Sequence, residues 1–134
     1  MKPTPLASPG RGHRAGWLAL LSYVEQLTTA ISAVHRGGWV HRDIKPENVL
    51  IAGKAAKLSD LGIASVIPGF EERVQGLIAE SLHVAPVAYL SPEQQQRKVD
   101  SQTPVFAESD VYQMGMLFYE MFTNRVALGE IVVL

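Results

Sequence analysis

Apolar residues recur at helical spacing near the start of the chain, and this pattern constrains the fold more than any other. The residues that would share one face of an α-helix are Trp17, Leu20, Leu21, Val24, Leu27, Ile31 and Val34. Gly37 and Gly38 follow, and glycine most easily adopts the conformation that ends a helix. The spacing therefore predicts one long amphipathic helix that begins at Trp17 and ends before Gly37.

Two short apolar stretches and a second helical pattern account for most of the remaining regular structure that we predict. Residues 49–51 and 55–58 are separated by Ala-Gly-Lys, which is typical of a small β-hairpin. Residues 110–122 place apolar side chains around most of a helical circumference, a pattern typical of a helix buried within a domain. The expected fold class is mainly α with a small β-hairpin, in an α+β arrangement.

The region between the hairpin and the second helical pattern has no sustained period. Residues 63–88 mix proline and glycine with scattered apolar residues, so we predict a long irregular loop, and loops of such length are usually functional or mobile. Ser91, Pro92 and Glu93 then predict a helix start, with serine as the N-cap and an acid near the positive helix end. A polar connection over 97–108 leads to the second helical pattern.

Length and local composition divide the chain into one domain and two tails. A chain of 134 residues suits one compact domain. Residues 1–16 are rich in Pro and Gly without a periodic apolar pattern, so we expect a disordered tail. Residues 126–134 are apolar and stay unassigned, and the domain is expected to span 17–125.

Composition and charge exclude several classes of protein. A formal net charge of −1 offers no electrostatic footprint for nucleic acid or an anionic membrane, so neither is an expected partner. The sequence contains no cysteine, which excludes disulfides and thiolate metal sites. No segment reaches the ~20 apolar residues that span a bilayer, and the apolar run at 15–24 lacks the cleavage site of a signal peptide. We therefore expect a cytoplasmic protein, or the cytoplasmic portion of a larger one.

Polar motifs in a fixed order lie between and within these elements. Residues 41–48 read HRDIKPEN and resemble the H-R-D-x-K-x-x-N catalytic loop of protein kinases. Residues 60–62 (DLG) resemble the D-F-G metal motif, residues 89–93 (YLSPE) resemble the A-P-E motif, and residues 109–115 (SDVYQMG) resemble the helix that anchors the catalytic loop. Such ordered motifs are rare by chance. From about residue 17 to residue 125 the chain resembles the large, C-terminal lobe of eukaryotic-like protein serine/threonine kinases.

The resemblance implies a role for each residue of the site. Asp43 would accept or orient the proton of the substrate hydroxyl, and Lys45 would contact the nucleotide and balance the charge of the transferred phosphoryl group. Asn48 and Asp60 would bind Mg²⁺ and with it the phosphates of ATP, because Mg²⁺ prefers oxygen ligands. A lysine at position 45 is typical of serine/threonine kinases. The expected ligands are therefore ATP, Mg²⁺ and a protein substrate with a Ser or Thr hydroxyl.

Further residues receive structural or regulatory roles from the same resemblance. Arg42 resembles the arginine that pairs with an anion on the activation loop, and Ser65 and Ser81 are either phosphorylation sites or solvated loop serines. Glu93 would belong to an ion pair, although the sequence ends before the helix that carries its arginine partner in the family. Asp110 would be a hydrogen-bond anchor beneath the catalytic loop.

One residue and one short stretch that invite a chemical role are given a structural interpretation. His41 is expected to pack in the core and to have no part in the chemistry. Residues 10–15 spell G-x-G-x-x-A, a pattern of phosphate-binding loops, but the prolines before it argue against the strand that such a loop requires. We interpret this stretch as part of the N-terminal tail.

The sequence also departs from the family pattern and leaves alternatives open. It contains no glycine-rich loop and no V-A-I-K lysine, so the small lobe that clamps ATP is expected to be missing. Ala85 and Pro86 stand where the family usually has Gly-Thr, and proline cannot supply the hydroxyl that touches Asp43 and Lys45. One interpretation is the large-lobe part of a kinase from a truncated or mis-started gene. The others are a pseudokinase or regulatory binding module without catalysis, and a helical domain with coincidental motifs.

Overall fold

The computed structural model describes residues 14–61, 65–66 and 87–126 of the chain. In chain order the elements are α1 (Arg14–Arg36), β1 (Trp39–Val40), β2 (Val49–Ala52), β3 (Ala55–Leu58), β4 (Ser65–Val66), α2 (Pro92–Gln96) and α3 (Ala107–Thr123), with 3₁₀ turns at Pro46–Asn48 and Val87–Tyr89. Within these ranges, no helix combines the length and the apolar character that crossing a bilayer requires. The architecture is the predicted combination of helices with a small antiparallel sheet.

The first helix, α1, is the long amphipathic helix that the apolar spacing predicts. It begins at Arg14 rather than Trp17: Arg14 and Ala15 are strong helix formers that favour this extension beyond the apolar stripe, although Gly16 disfavours it. Residues 14–16, which we assigned to the tail, therefore belong to the helix, and residues 1–13 lie outside the described part. Beyond the helix end, Gly38 adopts φ 85°, in the left-handed region that glycine favours.

The hydrophobic core lies between α1, α3 and the hairpin. Its buried members are Leu20, Leu27, Ile31, Ile44, Val49, Ala56, Met114, Leu117 and Met121. Trp17 at the start of α1 stacks on Phe122 near the end of α3, with ring centroids 5.7 Å apart. Leu21, which we assigned to the same face as Leu20, is 54% exposed. Full burial of one such side chain contributes about 1.5–3 kcal/mol, so this core holds the two long helices together.

The predicted β-hairpin is confirmed. Strands β2 and β3 pair in antiparallel register, with Val49 opposite Leu58 and Ala52 opposite Ala55. Gly53 in the turn has φ 60°, a left-handed conformation that costs glycine little. The short connection therefore fixes the register of the pair.

Side chains of α1 hold the turn of the hairpin. Tyr23 donates its hydroxyl hydrogen to the carbonyl oxygen of Gly53 at 2.9 Å. The amide nitrogen of Gln26 donates to the carbonyl oxygen of Lys54 at 2.9 Å, and its amide oxygen accepts from the backbone N–H of Ala56 at 2.8 Å. These contacts fix the hairpin on the helix and so set the position of the loop that enters β2.

A second strand pair was not predicted. Trp39 pairs with Val66 and Val40 pairs with Ser65, in antiparallel register. Each strand has two residues, which is too short for an alternating pattern to be recognised in a sequence. Ser65 and Val66 therefore form a strand within the predicted loop 63–88, most of which lies outside the described residues.

The helix start predicted at Ser91 is confirmed as the N-terminus of α2. The hydroxyl oxygen of Ser91 accepts from the backbone N–H of Gln94 at 3.3 Å. The amide oxygen of Gln94 accepts from the backbone N–H of Ser91 at 3.0 Å, which completes a capping box. Pro92 occupies the first turn, where its missing N–H is not needed.

The last described helix, α3, is buried on the side that faces α1 and the segment 41–48. Met114, Leu117 and Met121 are buried, whereas Val111 and Tyr119 are exposed. The prediction of a buried helix thus holds for one face of α3, while the opposite face is exposed among the described residues.

Candidate active site

Residues 41–48, which read HRDIKPEN, lie between β1 and β2 and are held by hydrogen bonds to side chains of α3. Asp110 is fully buried, and its two carboxylate oxygens accept from the backbone N–H groups of His41 and Arg42, each at 2.8 Å. His35, in the last turn of α1, places Nε2 2.7 Å from Asp110 Oδ2. Asp110 therefore lies where the resemblance puts the anchor of the catalytic loop.

The backbone of Arg42 is held in an unusual conformation. Its φ of 72° lies in the left-handed region, which is costly for a residue with a Cβ atom. Its N–H donates to Asp110, and its carbonyl oxygen accepts from the side-chain amides of Gln94 at 2.8 Å and Gln113 at 3.1 Å. These hydrogen bonds offset the strain and set the direction in which the next residue, Asp43, leaves the backbone.

The structure brings Asp43, Lys45 and Asn48 together. Lys45 Nζ lies 3.2 Å from Asp43 Oδ1, and Asn48 Nδ2 donates to Asp43 Oδ2 at 2.9 Å and to the Asp43 carbonyl oxygen at 2.7 Å. Asp43 and Asn48 are buried, whereas Lys45 is partly exposed. No donor among the described residues makes a well-aligned hydrogen bond to Asp43 Oδ1. The contact between Lys45 and Asp43 is therefore an ion pair without an aligned hydrogen bond. The buried Oδ1 of Asp43 can still accept a hydrogen bond from another donor.

His41 packs beneath this cluster. Its ring is fully buried, Nδ1 accepts from the backbone N–H of Asp43 at 3.3 Å, and Nε2 lies 3.1 Å from the carbonyl oxygen of Ser59. Because a carbonyl oxygen can only accept, Nε2 carries the ring proton and both ring nitrogens have partners. Both ring nitrogens of His41 are engaged with the backbone, an arrangement compatible with the structural role that we expected.

Asp60 directly follows a residue that is hydrogen-bonded to Asn48. Ser59, the residue before it, donates from its backbone N–H at 2.8 Å and from its hydroxyl at 3.1 Å to the Asn48 carbonyl oxygen. Asp60 itself is exposed and has φ 63°, again in the left-handed region. Asp60 therefore lies one residue from a direct contact with Asn48, while Gly62 of the same motif is outside the described residues.

Glu93 has a partner that the sequence reasoning missed. The hydroxyl of the buried Ser109 donates to Glu93 Oε1. Partial burial tends to raise the pKa of Glu93, but hydrogen bonds from Ser109, the backbone and Ser91 outweigh it, so the pKa lies below its ordinary value. Glu93 is therefore an ionised carboxylate that links α2 to the start of α3.

Arg42 carries its charge in a poorly solvated position. Burial lowers the pKa of the guanidinium from its ordinary value, the positive charge of Arg97 lowers it further, and Asp110 acts in the opposite direction. Its Nε is buried without a hydrogen-bond partner among the described residues. Arginine nevertheless stays protonated in proteins, so an anion at this position would be stabilised. Ser65 lies in β4, whereas Ser81 lies outside the described residues.

Sequence reasoning also missed other polar residues near the site. Gln94 and Gln113 are buried, and Tyr89 donates its hydroxyl hydrogen to Glu120 Oε2. Burial raises the pKa of Glu120, and the negative charge of Glu47 raises it further. Gln113 had one detectable signal, because a polar residue stands at helical spacing among the apolar residues of α3. Gln94 had another, because a serine followed three residues later by a glutamine is the pattern of a capping box. The contacts that these glutamines make to Arg42, and that of Tyr89 with Glu120, join distant segments and leave no pattern in the sequence.

Comparison with known proteins places the chain in a family. The profile of the protein kinase domain matches residues 18–131. The serine/threonine-protein kinase PknA of Corynebacterium glutamicum is 39% identical over 106 residues, which cover 78% of this chain and 20% of that protein. PknL of Mycobacterium tuberculosis is 36% identical over 109 residues, which cover 80% of this chain and 25% of that protein.

A third relative agrees with the first two. The serine/threonine-protein kinase PrkC of Bacillus subtilis is 34% identical over 107 residues, which cover 79% of this chain and 15% of that protein. The chain thus spans between 15% and 25% of the length of these three relatives. The match extends over the loop, the hairpin and both long helices, so the chain belongs to the protein kinase domain family, among relatives that are eukaryotic-like serine/threonine-protein kinases.

Proposed function

We propose that these residues form the catalytic part of an ATP-dependent protein serine/threonine kinase. The observation that carries the proposal is the buried Asp43 Oδ1, which has Lys45 Nζ at 3.2 Å and no well-aligned hydrogen-bond donor among the described residues. A buried carboxylate oxygen of this kind can accept the proton of a substrate hydroxyl. The Asn48 side chain holds the other oxygen, which fixes the orientation of the carboxylate.

The transfer reaction assigns a task to each member of the cluster. The hydroxyl oxygen of a Ser or Thr in the protein substrate forms a bond to the γ-phosphorus of ATP, the bond to the ADP oxygen breaks, and Asp43 accepts the hydroxyl proton. Negative charge on the transferred group is balanced by the Lys45 ammonium. The protein supplies positioning and charge rather than covalent chemistry.

The donor atoms of the site suit magnesium. Both hydrogens of the Asn48 amide nitrogen are used by Asp43, so the amide oxygen is the atom that Asn48 would offer to a cation. Asp60 would add a carboxylate. No cluster of three or more His, Cys, Asp or Glu side chains suited to a metal ion exists in the described ranges. When bound, Mg²⁺ neutralises charge on the phosphates of ATP.

The remaining roles follow from the same proposal. The elements around the site form the large lobe of the kinase, with Asp110 as the anchor of the catalytic loop and Glu93 as the link between α2 and α3. The poorly solvated Arg42 charge would pair with an anion on the activation segment. A kinase that consumes ATP is expected in the cytoplasm, where ATP is available. Ala85 and Pro86, which motivated the pseudokinase alternative, lie outside the described residues.

Phosphate transfer from labelled ATP to a protein substrate tests the proposal. The full-length gene product is compared with its Asp43→Asn variant and with Asp100→Asn, an exposed aspartate that serves as the matched control. We expect Asp43→Asn to lower the rate by about 10²–10⁴-fold, the usual contribution of a positioned acid or base. Asp100→Asn should keep the rate of the unsubstituted protein. Equal labelling by the Asp43→Asn variant and the unsubstituted protein would remove the enzyme assignment.

A further inference from the structure

Two buried glutamines from different helices meet at the backbone of the catalytic loop. Gln113 on α3 is fully buried and Gln94 on α2 is 8% exposed. Gln113 Nε2 donates to Gln94 Oε1 at 3.1 Å, and both side chains donate to the carbonyl oxygen of Arg42. We call these two side chains the glutamine pair.

Gln113 holds the backbone on both sides of Asp43. Its Nε2 donates at 3.1 Å to the carbonyl oxygen of Arg42, which belongs to the peptide group before Asp43. Its Oε1 accepts at 3.0 Å from the N–H of Ile44, which belongs to the peptide group after Asp43. If the Gln113 amide were reversed, its oxygen would face the Arg42 carbonyl oxygen and its nitrogen would face the Ile44 N–H, so neither hydrogen bond could form. One side-chain amide therefore restrains the peptide planes that determine where the Asp43 carboxylate points.

Gln94 connects this restraint to the start of α2. Its Nε2 donates to the Arg42 carbonyl oxygen at 2.8 Å, while its Oε1 accepts both from the Ser91 backbone N–H at 3.0 Å and from Gln113. The capping box of α2 and the hold on the catalytic loop thus share one amide group. A displacement of the N-terminus of α2 would change the hydrogen bonds at Arg42.

The environment makes these hydrogen bonds consequential. Arg42 has a left-handed φ of 72°, so its backbone would relax if the partners of its carbonyl oxygen were removed. The Ile44 N–H lies at a buried site, where a lost partner is not readily replaced by water, and the Arg42 carbonyl oxygen is partly buried. We infer that the glutamine pair positions Asp43 for phosphoryl transfer and couples that position to α2. This role rests on the proposed kinase function, whereas the hydrogen bonds themselves do not.

Amide hydrogen exchange tests directly whether Gln113 and Gln94 restrain the backbone around Asp43, and this measurement does not require catalytic activity. Gln113→Met and Gln94→Met preserve side-chain length and remove the amide, and Gln96→Met, at an exposed position of α2, is the matched control. In the full-length gene product we expect Gln113→Met to speed exchange of the Ile44 amide by about tenfold or more relative to a global reference amide in α1. A tenfold change corresponds to about 1.4 kcal/mol. Unchanged Ile44 exchange in Gln113→Met would overturn the inference.

Kinetics test the consequence for the reaction. The rate is expressed per ATP-binding site, counted by titration, so that a fraction of unfolded protein does not lower it. We expect kcat to fall by about tenfold or more in each variant of the glutamine pair, with an unchanged KM for ATP, because Asp43 does not bind the nucleotide. The double variant should lose less than the product of the two single losses, since both amides act on Arg42.

The two arms separate the inference from the function on which it rests. A kcat per site equal to that of Gln96→Met, in a protein that does transfer phosphate, would overturn the positioning role. Absence of transfer by the unsubstituted protein would instead contradict the proposed function. In that case Ile44 exchange would still decide whether the pair holds the loop.

Discussion

The substitution Asp110→Asn tests whether one buried carboxylate holds the catalytic loop. It preserves the size of the side chain and replaces one oxygen with an amide nitrogen. Oδ2 of Asp110 accepts from the His41 N–H at 2.8 Å and lies 2.7 Å from His35 Nε2, while Oδ1 accepts from the Arg42 N–H at 2.8 Å. An asparagine has one acceptor oxygen, so one of these two backbone N–H groups would face another donor.

The cost follows from that count. A buried donor without a partner costs about 1–3 kcal/mol. The hydrogen bonding that survives at the amide oxygen changes from a charged to a neutral acceptor, which removes about 1 kcal/mol more. The free energy of unfolding should therefore fall by about 2–4 kcal/mol. This is a large fraction of the roughly 5–15 kcal/mol that stabilises a typical domain.

Urea unfolding followed by far-ultraviolet circular dichroism measures this difference. The same slope in urea should apply to both proteins, so that the midpoint alone reports the change in stability. The control is Asp100→Asn, which lies on the exposed surface and should change the free energy of unfolding by less than about 0.5 kcal/mol. If Asp110→Asn costs less than about 1 kcal/mol, the carboxylate does not hold the loop and the reasoning is wrong.

Two further substitutions test the core and the partly buried carboxylate of Glu93. Leu117→Ala should lower the free energy of unfolding by about 2–5 kcal/mol, because Leu117 is fully buried. The matched control Leu18→Ala, at a 57% exposed position, should lower it far less. Thermal unfolding measures both variants, and similar losses of stability would contradict the described core. The lowered pKa of Glu93 means that its ionised form stabilises the folded state, so this contribution is present above the ordinary value of 4.5 and is lost as the pH falls through the folded-state pKa. Glu93→Gln should therefore destabilise the protein near neutral pH, and the difference in stability between the variant and the unsubstituted protein should shrink in acid. Urea midpoints at several pH values measure this difference. A difference in stability that is independent of pH would refute the role of the charge.

Local signals in the sequence were sufficient for much of the fold. The apolar spacing from Trp17 onward predicted α1, and the turn around Gly53 predicted the hairpin. Ser91 predicted the start of α2, where the hydroxyl caps the helix. These features depend on interactions between residues a few positions apart, so their residue types and spacing are visible in a single sequence.

Other features depended on contacts between distant segments. The β1–β4 pair joins Val40 to Ser65, and neither strand is long enough to show a period. Leu21 and Leu20 carry the same apolar signal, but only packing against α3 and the hairpin decides which one is buried. The period of apolar residues indicates approximately which face of a helix is buried. Which residues of that face are covered depends on the other elements that pack against it in the folded domain.

The sequence by itself determined the family of this chain and the identities of its candidate site residues, because the chemistry of phosphoryl transfer requires particular side chains at particular spacings. Only the tertiary structure decided how Asp43 is oriented. Asp110, Gln94 and Gln113 reach the catalytic loop from two other helices, and each hydrogen bond joins residues at least 52 positions apart. Hydrogen bonds depend on distance and direction in space, and the spacing of residues along a chain carries neither.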